Sequence, residues 1–195
     1  MIDHKNKCIF IHLAKTGGTS IEKCLVQKDW WHINRQTKHL SAKSASIIYE
    51  DYWNEYYKFS FVRNPWSLMP SWYRFRRVKE NQGMDFKSFL LDYDFSSNTA
   101  TGEKSWLPDT LSQFELLIEN GQPLVDFIGK FENLQQDFHI VCDQIKVPRQ
   151  ELLQLHKTNK TQHKHYTEYY NDETREIVAQ KYAKDIEYFG YEFGR

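Results

Sequence analysis

The sequence has little cysteine, no excess of either charge and no long apolar run. Its three cysteines, Cys8, Cys24 and Cys142, are odd in number, widely spaced and set among apolar residues. That excludes a disulfide framework and a zinc pattern, and leaves packing as their reading. A reduced compartment is expected. Lysine plus arginine number 26 and aspartate plus glutamate 26, so the formal charge is zero. A duplex-binding module draws most of its affinity from phosphate neutralisation and carries a basic balance, so no nucleic-acid partner is expected. No stretch approaches the roughly 20 apolar residues of a membrane-spanning helix, and the mean hydropathy of −0.73 agrees. Met1-Ile-Asp-His-Lys-Asn-Lys7 leads into a strand-like run without the apolar region and cleavage site of a signal peptide. A cytoplasmic protein with no integral membrane segment is the expectation. With no repeat, low-complexity tract or linker, residues 1–195 read as one domain.

Against these absences stand 40% hydrophobic and 16% aromatic residues, enough for a core of large side chains. Cys8-Ile-Phe-Ile-His-Leu13 is nearly continuous apolar sequence, as in a strand buried on both faces of a mostly parallel sheet. It stops at Ala14-Lys-Thr-Gly-Gly-Thr-Ser20, after which Ile21, Cys24 and Leu25 share one helical face. Residues 27–54 have no clean period and read as mixed helix and loop. Phe59-Ser-Phe-Val62 is a second buried strand, followed by a helix for which Ser67 is the expected N-cap, with Pro70 at the third helical position. Residues 85–93 read as a short helix and 95–108 as a polar loop. Asn120-Gly121 predicts a hairpin between arms 114–118 and 123–128, the second arm joining the sheet. Leu134, Phe138, Val141, Cys142 and Ile145 mark a helix ending before Pro148, and Ile177, Val178, Tyr182 and Ile186 a last one, capped by Asp172. Strands followed by helices, with one hairpin, predict a three-layer α/β/α domain around a mostly parallel sheet.

Two clusters carry chemistry. In Lys15-Thr-Gly-Gly-Thr-Ser20 the turn and helix start present backbone N–H groups and the positive end of a helix dipole, and Lys15, Thr16, Thr19 and Ser20 add donors. This is an anion cradle rather than an ordinary glycine turn. It is not a Walker A motif, because the lysine precedes the glycines. In Phe61-Val-Arg63-Asn-Pro65, Arg63 leaves the carboxyl end of a strand, where the ligands of open α/β sheets bind, and its planar fork suits a phosphate. Together the clusters predict a ligand with two separated anionic groups.

The pairing of Phe10-Ile-His-Leu-Ala-Lys15-Thr-Gly-Gly-Thr-Ser20 with Phe61-Val-Arg63-Asn-Pro-Trp and Ser71 resembles the two cofactor motifs of sulfotransferases. These use 3′-phosphoadenosine 5′-phosphosulfate (PAPS) and share a P-loop nucleotide-kinase-like fold. The resemblance is to the carbohydrate and glycosaminoglycan branch and its small bacterial relatives. It extends through Asp126-Phe-Ile-Gly-Lys-Phe131-Glu-Asn-Leu134, Asn159-Lys-Thr and Tyr188-Phe-Gly-Tyr191, in family order. It implies that Lys15, Thr16, Gly17, Gly18, Thr19 and Ser20 form the 5′-phosphosulfate loop and that Arg63 and Ser71 hold the 3′-phosphate. Ala14 stands where the family usually has proline, and Leu68 and Pro70 where an arginine is common.

The implied reaction moves a sulfuryl group to a hydroxyl or amine of an acceptor, a carbohydrate or other small molecule, with Lys15 stabilising charge on the leaving phosphate and no metal required. His39, between the two motifs, is the expected base, with Glu22 as runner-up, although a glutamate on an amphipathic helix is more often solvated. His12 reads as a buried strand residue or supporting donor, and His32 as an acceptor-cleft residue. The basic loop 156–165 is expected over the nucleotide, with Lys160, Lys164 or Tyr166 reaching phosphate or adenine, or else simply in solvent. Trp30, Trp31, Trp53 and Trp106 offer either sugar-stacking faces or core. Zero net charge favours a neutral or lightly charged acceptor over a highly sulfated polymer. A P-loop-like nucleotide kinase and an inactive nucleotide- or glycan-binding module are the alternatives, and oligomeric state stays open.

Overall fold

The computed structural model describes residues 1–80, 83–92, 112–152 and 164–195. Its strands are β1 (Ile2–Asp3), β2 (Cys8–Ile11), β3 (Tyr57–Val62), β4 (Ile118–Glu119), β5 (Gln122–Pro123) and β6 (Phe127–Lys130). The central sheet has the order β1-β2-β3-β6. Its β2, β3 and β6 run parallel, and β1 is an antiparallel edge strand. The sheet is thus mostly parallel, as expected.

The helices are α1 (Gly18–Val26), α2 (Ala42–Ile48), α3 (Glu50–Trp53), α4 (Pro65–Glu80), α5 (Phe86–Asp92), α6 (Gln113–Leu117), α7 (Leu134–Gln144), α8 (Asp172–Lys181) and α9 (Ala183–Phe189). Because side chains alternate along a strand, β2 feeds two cores. Cys8 and Phe10 join Phe59, Phe61, Ile21 of α1 and Phe138, Val141 and Cys142 of α7. Ile9 and Ile11 join Ala42 and Ala45 of α2, Leu116 and Leu117 of α6 and Phe189 of α9. Helices therefore cover both faces of the sheet. Phe10 and Phe59, register partners, stack at 4.9 Å. Gly129 of β6 lies opposite Phe61, whose ring leaves no room for a Cβ there. A third cluster, built from Trp66, Leu68, Met69, Trp72, Phe89, Leu90, Val178 and Tyr182, packs α4 against α5 and α8.

Several local expectations are corrected. Helix α4 starts at Pro65, not after Ser67, because Asn64 caps it: its Oδ1 accepts from Trp66 N at 3.0 Å, and Pro65 takes the first position, where no N–H is needed. Pro70 consequently sits inside the helix and cannot donate to the Trp66 carbonyl, and the Tyr170 hydroxyl donates to it instead at 2.9 Å. The Asn120-Gly121 hairpin forms with the expected two-residue turn, but only as β4 and β5. Residues 114–117 of its predicted first arm belong to helix α6, and the predicted second arm divides between β5 and β6, the latter joining the sheet. Asn171 rather than Asp172 caps α8, accepting from Thr174 N at 2.8 Å. The predicted last helix is two, α8 and α9, broken at Tyr182. Residues 27–54 contain short turns at 30–32 and 35–37 followed by α2 and α3. The polar loop 95–108 lies outside the described residues. Among the described residues no helix is long and apolar enough to cross a membrane.

Candidate functional site

The loop from Ala14 to Gly18 carries β2 into α1, and two of its residues take left-handed backbone angles: Lys15 at φ 68° and Gly17 at φ 84°. Gly17 is also the N-cap of α1 and offers no side-chain cap to the helix N–H groups. A left-handed residue without glycine is costly, so Lys15 marks stored strain. The two glycines serve different needs. Gly17 supplies the positive φ, and a Cβ there would also approach Leu134 to 2.6 Å, whereas Gly18 is required because the His12 ring lies against its Cα. Thr16 is fully buried, and its hydroxyl donates to the Leu13 carbonyl at 2.8 Å. Its side chain thus closes the turn. Lys15 Nζ lies 4.4 Å from the centre of the Phe75 ring.

Arg63 follows the end of β3 and returns to this loop: its Nη1 donates to the Lys15 carbonyl at 3.0 Å. Its Nε and Nη2 both donate to Ser67 Oγ, at 3.0 and 2.9 Å, and the guanidinium lies 4.0 Å from the centre of the Phe131 ring. Burial pushes the guanidinium pKa down to about 10, with Glu132 opposing and the nearby positive charge of Arg74 adding to the fall. It stays charged near neutrality. Ser71 is one helical turn beyond Ser67 on α4 and partly exposed.

Other side chains hold Arg63 and Asn64 in place. Gln113 grips the Arg63 main chain from both sides, accepting from its N at 2.7 Å and donating to its carbonyl at 2.8 Å. Asp185, fully buried, accepts in turn from Gln113 Nε2, from the backbone N of Gln113 and Phe114, and from Ser112 Oγ. Glu132 accepts from Asn64 N at 2.9 Å. Sequence reasoning gave no part in the site to Gln113, Glu132 or Asp185, and read Ser67 only as a helix cap. Only Ser67 carried a signal, its position one turn after Arg63.

His39 packs against His12, near the end of β2. Its Nδ1 is 2.9 Å from the His12 carbonyl, which can only accept, so Nδ1 carries the proton and Nε2 is left as the basic nitrogen. Burial, then the neighbouring His12, lowers the His39 pKa to about 3, so the ring is neutral near pH 7. Its centroid lies 4.7 Å from that of His12, which is buried as expected. Glu22, read as solvated or as an alternative base, is neither. It is fully buried, and its carboxylate accepts from His12 Nδ1 at 2.5 Å, Lys38 Nζ at 2.6 Å and Trp30 N at 3.0 Å. Burial alone would raise this carboxyl, but the bonds from His12 and Lys38 outweigh it and hold its pKa at about 2.

The remaining sequence candidates scatter. Tyr166 lies against Phe193, its hydroxyl accepting from Gly194 N at 2.7 Å, and belongs to the same cluster as Ala14 of the loop. Lys160 and Trp106 lie outside the described residues, and Lys164 is exposed. Trp30 is core, with its Nε1 donating to Thr37 Oγ1 at 2.9 Å, Trp53 is partly buried, and Trp31 is exposed beneath the Arg35 guanidinium. His32 is exposed. Cys8 and Cys142 are buried packing residues, and all three cysteines are free.

A protein of Archaeoglobus fulgidus described as uncharacterized is 31% identical over 98 residues, 49% of this chain and 72% of that protein. No solved structure matches. A family model described as the sulfotransferase family matches residues 1–192. Because that match runs through the glycine loop, the arginine that bonds it and the sheet beneath both, the chain belongs to the sulfotransferase family.

Proposed function

We propose that this chain transfers a sulfuryl group from PAPS to a hydroxyl or amine of a neutral or lightly charged acceptor, a carbohydrate or other small molecule. The observation that carries the reading is the bond from Arg63 Nη1 to the Lys15 carbonyl, which joins two anion-binding motifs far apart in sequence. The residues fit such a donor: the N-terminus of α1 has no side-chain cap, and the two glycines let Leu134 and His12 pack directly against the loop that presents it. The strand, glycine loop and helix, with helices on both faces of a mostly parallel sheet, also suit a P-loop nucleotide-kinase-like fold within one domain.

Bound PAPS supplies a sulfuryl group already activated by its bond to the 5′-phosphate. Lys15 and the N–H groups of residues 16–19 would hold that phosphosulfate, with the Thr19 and Ser20 hydroxyls beside them. Arg63 and Ser71 would hold the 3′-phosphate, and Tyr166 would stand on the nucleotide side. His39 Nε2 would take the proton from the acceptor hydroxyl as its oxygen bonds to sulfur. Lys15 would stabilise the oxygen that gathers charge as the sulfuryl group leaves the 5′-phosphate. Lysine ahead of the glycines, together with family membership, favours this over a nucleotide kinase.

Turnover of labelled PAPS against a panel of hydroxyl and amine acceptors tests the reading. Transfer by the wild type, reduced about 100-fold or more in His39→Ala, is the expected outcome. Undiminished turnover in His39→Ala removes the base, and absence of any transfer points to the inactive binding module.

A further inference from the structure

Desolvating a carboxylate costs several kcal/mol, and a buried ion pair often stabilises no better than apolar residues of the same shape. Glu22 is nevertheless fully buried one turn into α1, and its partners are not arbitrary. Oε1 is bonded by His12, whose ring lies against Gly18 and whose carbonyl accepts from His39. Oε2 is bonded by Lys38, the residue that precedes His39, and Lys38 is pinned further by Asp29 Oδ1 at 2.5 Å. Asp29 itself accepts from Trp31 N at 2.9 Å, closing the turn at 30–32. The carboxylate thus grips both neighbours that locate His39 and, through His12, the first residue of the loop helix.

We infer that Glu22 is a positioning residue: by holding His12 and Lys38 it fixes His39 with Nδ1 protonated and Nε2 open, and it sets that ring in register with the anion loop. The inference rests on the reading of His39 as the base. A carboxylate acts here where a carboxamide cannot, because it accepts at both oxygens, whereas glutamine must present an N–H to either His12 or Lys38. The groups facing His39 are His12, Lys38 and Glu22, with Asp29 behind Lys38.

The test combines kinetics with nitrogen-15 spectra of the imidazoles in wild type, Glu22→Gln and Lys38→Met. The wild type is expected to show His39 as a single Nδ1–H tautomer. In both variants His39 is expected to populate both tautomers, with kcat lowered about 10- to 100-fold and the apparent KM for PAPS within about threefold, the pattern of a misplaced base rather than a damaged donor site. Glu22→Asp is expected to recover part of kcat. Folded variants that keep one His39 tautomer and kcat within about twofold overturn the inference. If the variants do not fold, the wild-type spectrum still decides: His39 protonated at Nε2, or exchanging between tautomers, overturns it. A wild type with no sulfuryl transfer removes the functional reading, and the spectra then judge the positioning claim alone.

Discussion

Gly17 and Gly18 are neighbours whose substitution should fail in different ways. Alanine at Gly17 must adopt φ near 84° and crowd Leu134, at an expected cost of about 1–3 kcal/mol in chemical denaturation. Alanine at Gly18 has an acceptable backbone but drives its methyl into the His12 ring, costing about 1–3 kcal/mol as overpacking. Only the Gly18→Ala variant should move the His12 and His39 imidazole resonances. Equal shifts in both variants would contradict the division of labour. The histidines also set an acid limit. Burial depresses the folded pKa of His12 below its ordinary 6.5 and that of His39 to about 3. Below pH 6.5 the unfolded chain therefore binds more protons, and stability falls as pH drops from 6.5 toward about 3. Glu22, held at about 2 against an ordinary 4.5, adds to the loss below 4.5 with the same sign. Thermal melts between pH 7.5 and 5 should show a falling Tm, less steep in His39→Asn; a flat profile in the wild type would contradict the burial of these rings.

Helix α4 combines a proline inside its ladder with a tyrosine that repairs it. Tyr170→Phe leaves the buried Trp66 carbonyl without the donor that Pro70 cannot supply, and is expected to cost about 1–3 kcal/mol in chemical denaturation. In a Pro70→Ala background, where the helix regains its own N–H, the same change should cost less. Equal costs in the two backgrounds would show that the hydroxyl is not a substitute donor. No local pattern announces such a pairing, because Tyr170 is 104 residues from Trp66 in the chain. The same distance rule separates what sequence reveals from what it hides. The parallel strands, the glycine loop and the amphipathic helix α7 are written in short-range periodicity and were legible, whereas β1, two residues long, carries too little pattern to be seen. The apolar run 114–118 was read as a strand because periodicity alone does not separate short helices from strands. In the structure Ser112 and Asp185 cap the start of α6 there. In the candidate site, Lys15, Arg63 and His39 were legible by residue type and position. Glu22 was misread because an acid on a helix is ordinarily solvated, and its burial depends on Lys38 and His12 arriving from other segments.

At the scale of the molecule, zero net charge coexists with a locally basic site. Arg63 bonds the Lys15 carbonyl, and Arg74 is close enough to lower the Arg63 pKa, while Glu132 raises it. Arg63 is set by contacts that cross the whole fold, from Gln113, itself held by Asp185, on its main chain to Phe131 beneath its guanidinium. Such a site should recognise a small double anion and not a long polyanion, since no global field assists. The most direct measurement is calorimetric titration of 3′-phosphoadenosine 5′-phosphate into the wild type, Lys15→Ala and Arg63→Ala, with circular dichroism to establish that the variants fold. Saturable one-to-one binding by the wild type, weakened about tenfold or more in each variant, is the expected result, as charge-assisted contacts to phosphate are removed. Absence of binding, or binding that neither substitution weakens, would contradict the central claim that the glycine loop and Arg63 together form the donor site.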